Sequence, residues 1–222
     1  MIDTQLYEKK NLSEIVVDFI KHKILTGEYK EGDHISEVKV ADELNISRAP
    51  VREGIKELQN QGLIKFLPRK GNYVTRMTLE DVKEVFDIRL LLEYSVIEIL
   101  INEKKLKASD FELLIEIVNK MVEVAKTPGG LEDKTFQINE LDMTFHKFLW
   151  EKSDSKRRVK ILTDMYLLLQ VAMVFDTKMT GNLEITASDH YIIIEHLKAG
   201  NILECKIALK DHIISYRKGI FK

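Results

Sequence analysis

The sequence predicts a mainly α protein built as two domains, 1–77 and 78–222. Three observations carry that prediction. Apolar residues recur at three- and four-residue spacing along most of the chain, while only 3 Pro and 10 Gly interrupt its 222 residues, and abundant Leu, Ile, Glu and Lys favour helix. Two β-rich runs, "LIKFL" and "NYVTRM", flank "PRKG" before residue 78 and read as a hairpin. Beyond Met77 no strand pattern or repeat follows, so the second domain is predicted to be an all-α bundle.

With 45% apolar and 32% charged residues, the chain can fill two modest cores and is too apolar for disorder. Its longest apolar stretch, "IRLLLEYSVIEILI", is broken by Arg89, Glu93 and Glu98, so no membrane span is expected. The start "MIDTQLYEKK" has no apolar core of a secretory signal, and the single Cys205 allows no internal disulfide framework. A cytoplasmic protein is expected.

Taken in order, Leu12, Ile15, Val16, Phe19, Ile20 and Ile24 define an amphipathic helix over 11–26 that stops at Gly27. A short helix follows Ser36 as N-cap, burying Val40, Ala41 and Leu44. Ser47 is expected to cap a third helix, with Pro50 in its first turn, Val51, Ile55 and Leu58 as its apolar stripe, and Gly62 as its stop. Three helices and a hairpin in under 80 residues make a winged helix-turn-helix. "TLED" then forms a capping box from Thr78 to Asp81, and six helices are predicted near 79–103, 109–126, 132–152, 156–178, 188–199 and 201–219.

The chain carries a net charge of −2, yet Leu44 to Met77 holds seven basic residues (Arg48, Arg52, Lys56, Lys65, Arg69, Lys70, Arg76) and two acids, Glu53 and Glu57. At about 100° per residue, Arg48, Arg52, Lys56 and Gln59 share a stripe beside the apolar face, while both acids point away. A helix whose N-terminal turns carry exposed arginines suits major-groove docking, because those turns reach base edges. Arg grips guanine O6/N7 or phosphate, and Ser47 with the first-turn N–H groups can hold a phosphate. Arg69 and Lys70 at the hairpin tip, with Gly71 allowing close approach, suit a neighbouring groove. The competing reading is a solvated basic face.

The stretch "ISEVKVADELNISRAPVREGIKELQNQGLIKFLPRKGNYV" resembles the DNA-binding domain of the GntR family of bacterial transcription regulators over about 70 residues. The resemblance implies that Ser47, Arg48 and Arg52 contact double-stranded DNA, joined by Lys39, and that the wing at Lys70 and Gly71 reaches the minor groove. Gly54 stands where the family usually has alanine, Asn45 where glycine is common and Glu31 where proline is usual. Gly54 costs about 1 kcal/mol of helix propensity and is expected to soften the recognition helix.

Several polar residues break the apolar pattern of the second domain. Asp142 and His146 fall on the stripe of Ile138, Phe145 and Leu149; His190 falls with Ile193, Ile194 and Leu197; His212 aligns with Cys205, Ala208, Leu209 and Tyr216. A divalent metal would compensate the burial of one carboxylate and three imidazoles, and this donor set suits Zn²⁺, Ni²⁺, Mn²⁺ or Fe²⁺, with Zn or Ni favoured. An Asp142–His ion pair without metal is the alternative. Arg89 and Glu93 also sit on an inward face one turn apart, either as a buried salt bridge or with Arg89 receiving an effector carboxylate.

Residues 79 to 219 resemble the FCD effector domain of the FadR-like branch, through "LDMTFHKFL" and the block from His190 to His212. In metal-binding members the corresponding positions are ligands, which implies Asp142, His146, His190 and His212, and makes acyl-CoA an unsuitable effector. "KSDSKR" departs from the family's loop there. The whole reads as a ligand-responsive transcription regulator and not an enzyme, a homodimer on a pseudo-palindromic operator, with a small carboxylate metabolite completing the metal's shell and acting on repression. A regulator responding to metal alone, and a metal-dependent hydrolase, are the competing readings.

Overall fold

A computed structural model describes residues 11–180 and 182–214. Tyr216 and the predicted end of the last helix near 219 lie outside them. The fold divides between Met77 and Thr78 into two units. In the first, α1 (Leu12–Leu25) begins at a capping box in which Asn11 and Glu14 accept each other's backbone N–H, at 2.9 and 3.2 Å. The side chain of Ser36 caps α2 (Glu37–Leu44), and Asn45 closes that helix in the left-handed region at φ 52°, where Asn substitutes for glycine. Next comes α3 (Arg48–Asn60), burying Val51, Ile55 and Leu58. Ser47 occupies its N-cap position, but the hydroxyl makes no capping hydrogen bond, contrary to the sequence expectation.

The wing has one strand more than the sequence predicted. The strands β2 (Ile64–Leu67) and β3 (Gly71–Val74) form the hairpin, and β1 (His34–Ile35) pairs antiparallel on the other edge of β3, giving the order β1-β3-β2. Two residues are too few to show an alternating pattern. Gly71 is set by the turn itself: its φ is +100°, and a Cβ there would lie 2.8 Å from His34 Nε2.

The second unit is helical over its described residues: α4 (Leu79–Asn102), α5 (Ala108–Lys126), α6 (Leu131–Lys152), α7 (Lys156–Asp164), α8 (Tyr166–Thr180), α9 (Leu183–Ala199) and α10 (Ile202–Ile213). The Thr78/Asp81 capping box starts α4 as expected. The predicted helix 156–178 is two helices, divided at Met165, with no glycine or proline to mark the break. The start of α9 is five residues earlier than predicted because Asn182 caps it by accepting from the Ile185 N–H. Within the bundle α5 packs on α6 and α9, α10 on α9 and α4, and α8 on α6 and α4. Phe86, Leu114, Phe145, Trp150, Leu169, Ile193 and Leu209 are buried in its core.

Gly54 is buried where α3 meets α1. A Cβ built on it would stand 2.7 Å from Val16 Cγ1 and 2.9 Å from the Ser13 carbonyl oxygen. The glycine therefore permits a close helix crossing, and the expected softening of α3 is offset by the packing it allows. Gly54→Ala adds about 1 kcal/mol of helix propensity and incurs about 1–3 kcal/mol of overpacking, so a net loss of up to about 2 kcal/mol is expected. Chemical denaturation of the full chain checks this, and an alanine variant more stable than the parent contradicts the packing account.

Candidate metal centre and nucleic-acid interface

Three helices bring one carboxylate and three imidazoles together. Asp142 and His146 stand one turn apart on α6, His190 is on α9 and His212 on α10, all buried. One ligand atom from each lies within 4.8 Å of all the others. Asp142 Oδ1 is 3.1 Å from both His190 Nε2 and His212 Nε2, and its Oδ2 is 3.8 Å from His146 Nε2 and 3.5 Å from Arg89 Nη2. None of these approaches is a directed hydrogen bond: both carboxylate oxygens, His190 Nε2 and Arg89 Nη2 are buried without a hydrogen-bond partner.

The outer nitrogens fix the tautomers. His190 Nδ1 lies 3.1 and 3.2 Å from the carbonyl oxygens of Thr186 and Ala187, which only accept, so Nδ1 carries the proton. His146 Nδ1 lies 2.8 Å from Glu93 Oε2 and likewise donates. In their neutral forms both rings therefore turn a bare Nε2 lone pair inward, His190 toward a carboxylate and His146 toward His212 Nε2 at 3.2 Å. Lone pairs facing a carboxylate repel, and a cation among them reverses the sign. The residues fit a divalent metal, with Glu93 orienting a ligand imidazole from behind.

Of the two roles considered for Arg89 from the sequence, the structure shows the buried salt bridge. Arg89 Nε donates to Glu93 Oε1 at 2.7 Å, while Nη2 sits beside Asp142. Glu93 thus holds Arg89 with one oxygen and His146 with the other, a link the sequence did not reveal because Glu93 looked fully occupied by an i, i+4 partner. Asn139, one turn before Asp142 on α6, was also missed; it is buried with its amide Nδ2 unpartnered. Its position on the inward stripe was the available signal.

In the first unit, Lys39, Ser47, Arg48, Arg52, Lys56, Arg69 and Lys70 are all exposed, and Gly71 is partly so. Arg69 occupies the wing tip at φ 64°. Glu53 and Glu57 do not pair with Arg48 or Arg52, but an acid from α2 does: Glu37 Oε2 accepts from Arg52 Nε at 2.8 Å and Arg48 Nη2 at 3.1 Å. Glu37 lies on α2, outside the basic stretch from Leu44 to Met77, and helical periodicity within α3 does not connect it to the arginines. Gln59 lies on the basic stripe but is part-buried and donates to Asn72 Oδ1 at 2.8 Å, tying α3 to the wing strand β3.

Comparison with known proteins finds two family matches along the chain. Residues 12–74 match the family described as bacterial regulatory proteins, gntR family, and residues 84–215 match the FCD domain. The chain is 29% identical over 198 residues to the HTH-type transcriptional regulator YdhC of Bacillus subtilis (strain 168), covering 89% of this chain and 84% of that one. It is also 29% identical over 220 residues to the gluconate operon transcriptional repressor of the same organism, covering 89% and 88%. Among solved structures, E. coli McbR/YncC superposes with a TM-score of 0.79 at 18% identity over 96% of this chain and 98% of that one, a likeness of fold.

Ionisation in the metal-free cluster has a definite pH signature. Burial, reinforced by the neighbouring His190, pushes His212 down from 6.5 to about 3. Burial opposes the charge on Glu93, but His146 and Arg89 overcome it and bring the carboxyl from 4.5 to about 2. In both cases the unfolded chain takes up a proton that the folded chain refuses, so stability falls as pH drops, from about 6.5 for His212 and from 4.5 for Glu93. Metal-free protein is expected to melt at progressively lower temperature from pH 7 to pH 4; a melting temperature that is flat or rises across that range contradicts these assignments.

Proposed function

The chain belongs to the GntR family of DNA-binding transcription regulators and carries an FCD domain, and on that premise we propose that it is a metal-dependent, ligand-responsive repressor. The observation that carries this reading is the buried quartet of Asp142, His146, His190 and His212, whose inward atoms lie within 4.8 Å of one another while both Asp142 oxygens lack hydrogen bonds. These four residues hold the ion, Zn²⁺ or Ni²⁺ before Mn²⁺ or Fe²⁺ on the strength of three imidazoles and one carboxylate. When bound, the metal supplies a Lewis-acidic centre for an oxygen of the effector.

A small organic acid is the proposed effector. Arg89 Nη2, 3.5 Å from Asp142 Oδ2, and Asn139 Nδ2, one turn before Asp142 on α6, are buried donors without a hydrogen bond, and such donors suit a carboxylate or hydroxyl. That one relative is a gluconate operon repressor supports repression as the mode of action. On the DNA side, Arg48 and Arg52 reach base edges from the first turns of α3, with Lys39, Ser47 and Lys56 on the phosphates beside them. Arg69, Lys70 and Gly71 bring the wing tip to the adjacent groove. Two copies of the chain form a homodimer on a pseudo-palindromic operator.

Protein purified without an affinity tag is expected to contain about one equivalent of metal. Stripping it should lower the melting temperature of the chain by on the order of 10 °C, restored by Zn²⁺ or Ni²⁺, from the stabilisation a tight ligand gives. A few tenths of an equivalent or less, unchanged in His190→Ala, contradicts the metal site. On operator DNA, Arg48→Ala and Arg52→Ala should each cost about 10- to 100-fold and relax base preference, whereas Lys70→Ala should weaken all sequences alike and reduce the salt slope by about one. Arginine variants that bind every sequence as the parent does overturn the base-reading assignment. Mass spectrometry of the native protein should find a co-purifying organic acid that releases metal-loaded protein from DNA; release by metal alone makes the metal the signal.

A further inference from the structure

The arginine pair on α3 is joined to α2 through one oxygen. Glu37 Oε2 takes a hydrogen bond from Arg52 Nε and another from Arg48 Nη2, at 2.8 and 3.1 Å. Its side chain is 24% exposed, while those of Arg48 and Arg52 are 54% and 61% exposed. Glu37 is therefore the recessed member, and the guanidiniums project beyond it. The hydrogen bond from Arg52, followed by that from Arg48, holds its carboxyl below the usual carboxylate range.

From this geometry we propose that Glu37 is a positioning residue for sequence readout, acting on DNA through Arg48 and Arg52. It rests on the reading of α3 as the recognition helix. Arg side chains are long and lose rotamer freedom when they bind. With its Nε edge fixed by Glu37, Arg52 keeps Nη1 and Nη2 as the outward fork, the pair of donors that matches guanine O6 and N7. Arg48 retains Nε and Nη1. The same carboxylate lowers the attraction of this face for phosphate, which every sequence offers equally. Holding the forks favours the correct bases and neutralising the face disfavours all other binding, so both effects raise the ratio of specific to non-specific affinity.

The two effects separate by substitution. Glu37→Gln removes the charge and weakens both hydrogen bonds; Glu37→Asp keeps the charge but is one methylene too short to hold both arginines. The probe is a short duplex selected from random sequence by the parent full-length protein, set against a scrambled duplex of the same composition, with affinities from fluorescence anisotropy at several salt concentrations. The ratio of specific to non-specific affinity is expected to fall about tenfold in both variants, with non-specific affinity rising in Glu37→Gln and the salt slope unchanged in Glu37→Asp. An equal rise for both duplexes in Glu37→Gln, with Glu37→Asp matching the parent, makes Glu37 a charge and nothing more. An equal loss for both duplexes, with a lowered melting temperature, makes it a fold residue; either result overturns the proposal. If the parent selects no sequence at all, the reading of Arg48 and Arg52 as base contacts fails first, an outcome distinct from a selective parent whose variants keep its ratio.

Discussion

The bundle is organised around a buried carboxylate with no directed hydrogen bond, Asp142. Removing a carboxylate from water costs several kcal/mol unless charge or hydrogen bonds compensate it. Four helices place groups around it: α9 and α10 bring His190 and His212 to 3.1 Å, α4 brings the Arg89 guanidinium to 3.5 Å, and α6 itself adds His146, but without a cation the bare His190 nitrogen repels the carboxylate. Two of the imidazoles are held from behind, His190 by two carbonyls of its own helix and His146 by Glu93. These outer contacts leave Nε2 of both rings bare and turned inward, His190 toward the carboxylate and His146 toward His212. A polar cluster of this form is costly as an ion pair and coherent as a ligand set, which is why the metal reading follows from the tautomers as well as from the residue types.

The DNA-binding unit applies a comparable logic at its surface. The position of α3 depends on Gly54, which lets α1 approach to a distance no side chain would tolerate. Its arginines are hydrogen-bonded to Glu37, and the Gln59–Asn72 hydrogen bond links it to the wing. These four residues, Gly54, Glu37, Gln59 and Asn72, lie behind the arginines proposed to meet DNA.

Much of this was legible in the sequence. Helical periodicity, the Ser36 cap and the Thr78/Asp81 capping box place most helices, because those signals are local. Asp142, His146, His190 and His212 stood out because each puts a polar group where its helix demands an apolar one. The break at Met165 was hidden, since no residue there opposes helix. The strand β1 was too short to register, and Glu37 and Glu93 act across helices that one-dimensional charge patterns do not connect. Gly54, which as a sequence feature looks like a defect, is explained only by Val16 and Ser13, about 40 residues earlier.

The central claim is that the inward nitrogen of three histidines, and of no others, is available to a cation. Nitrogen-15 NMR of the six imidazoles during titration with Zn²⁺ tests it most directly, since metal and proton attachment at Nδ1 and Nε2 give distinct shifts. The account requires His146, His190 and His212 to become metal-bound at Nε2 with protonated Nδ1, in step with one equivalent, while His22, His34 and His196 stay unchanged. Attachment at Nδ1, or a response spread over all six rings, would contradict it.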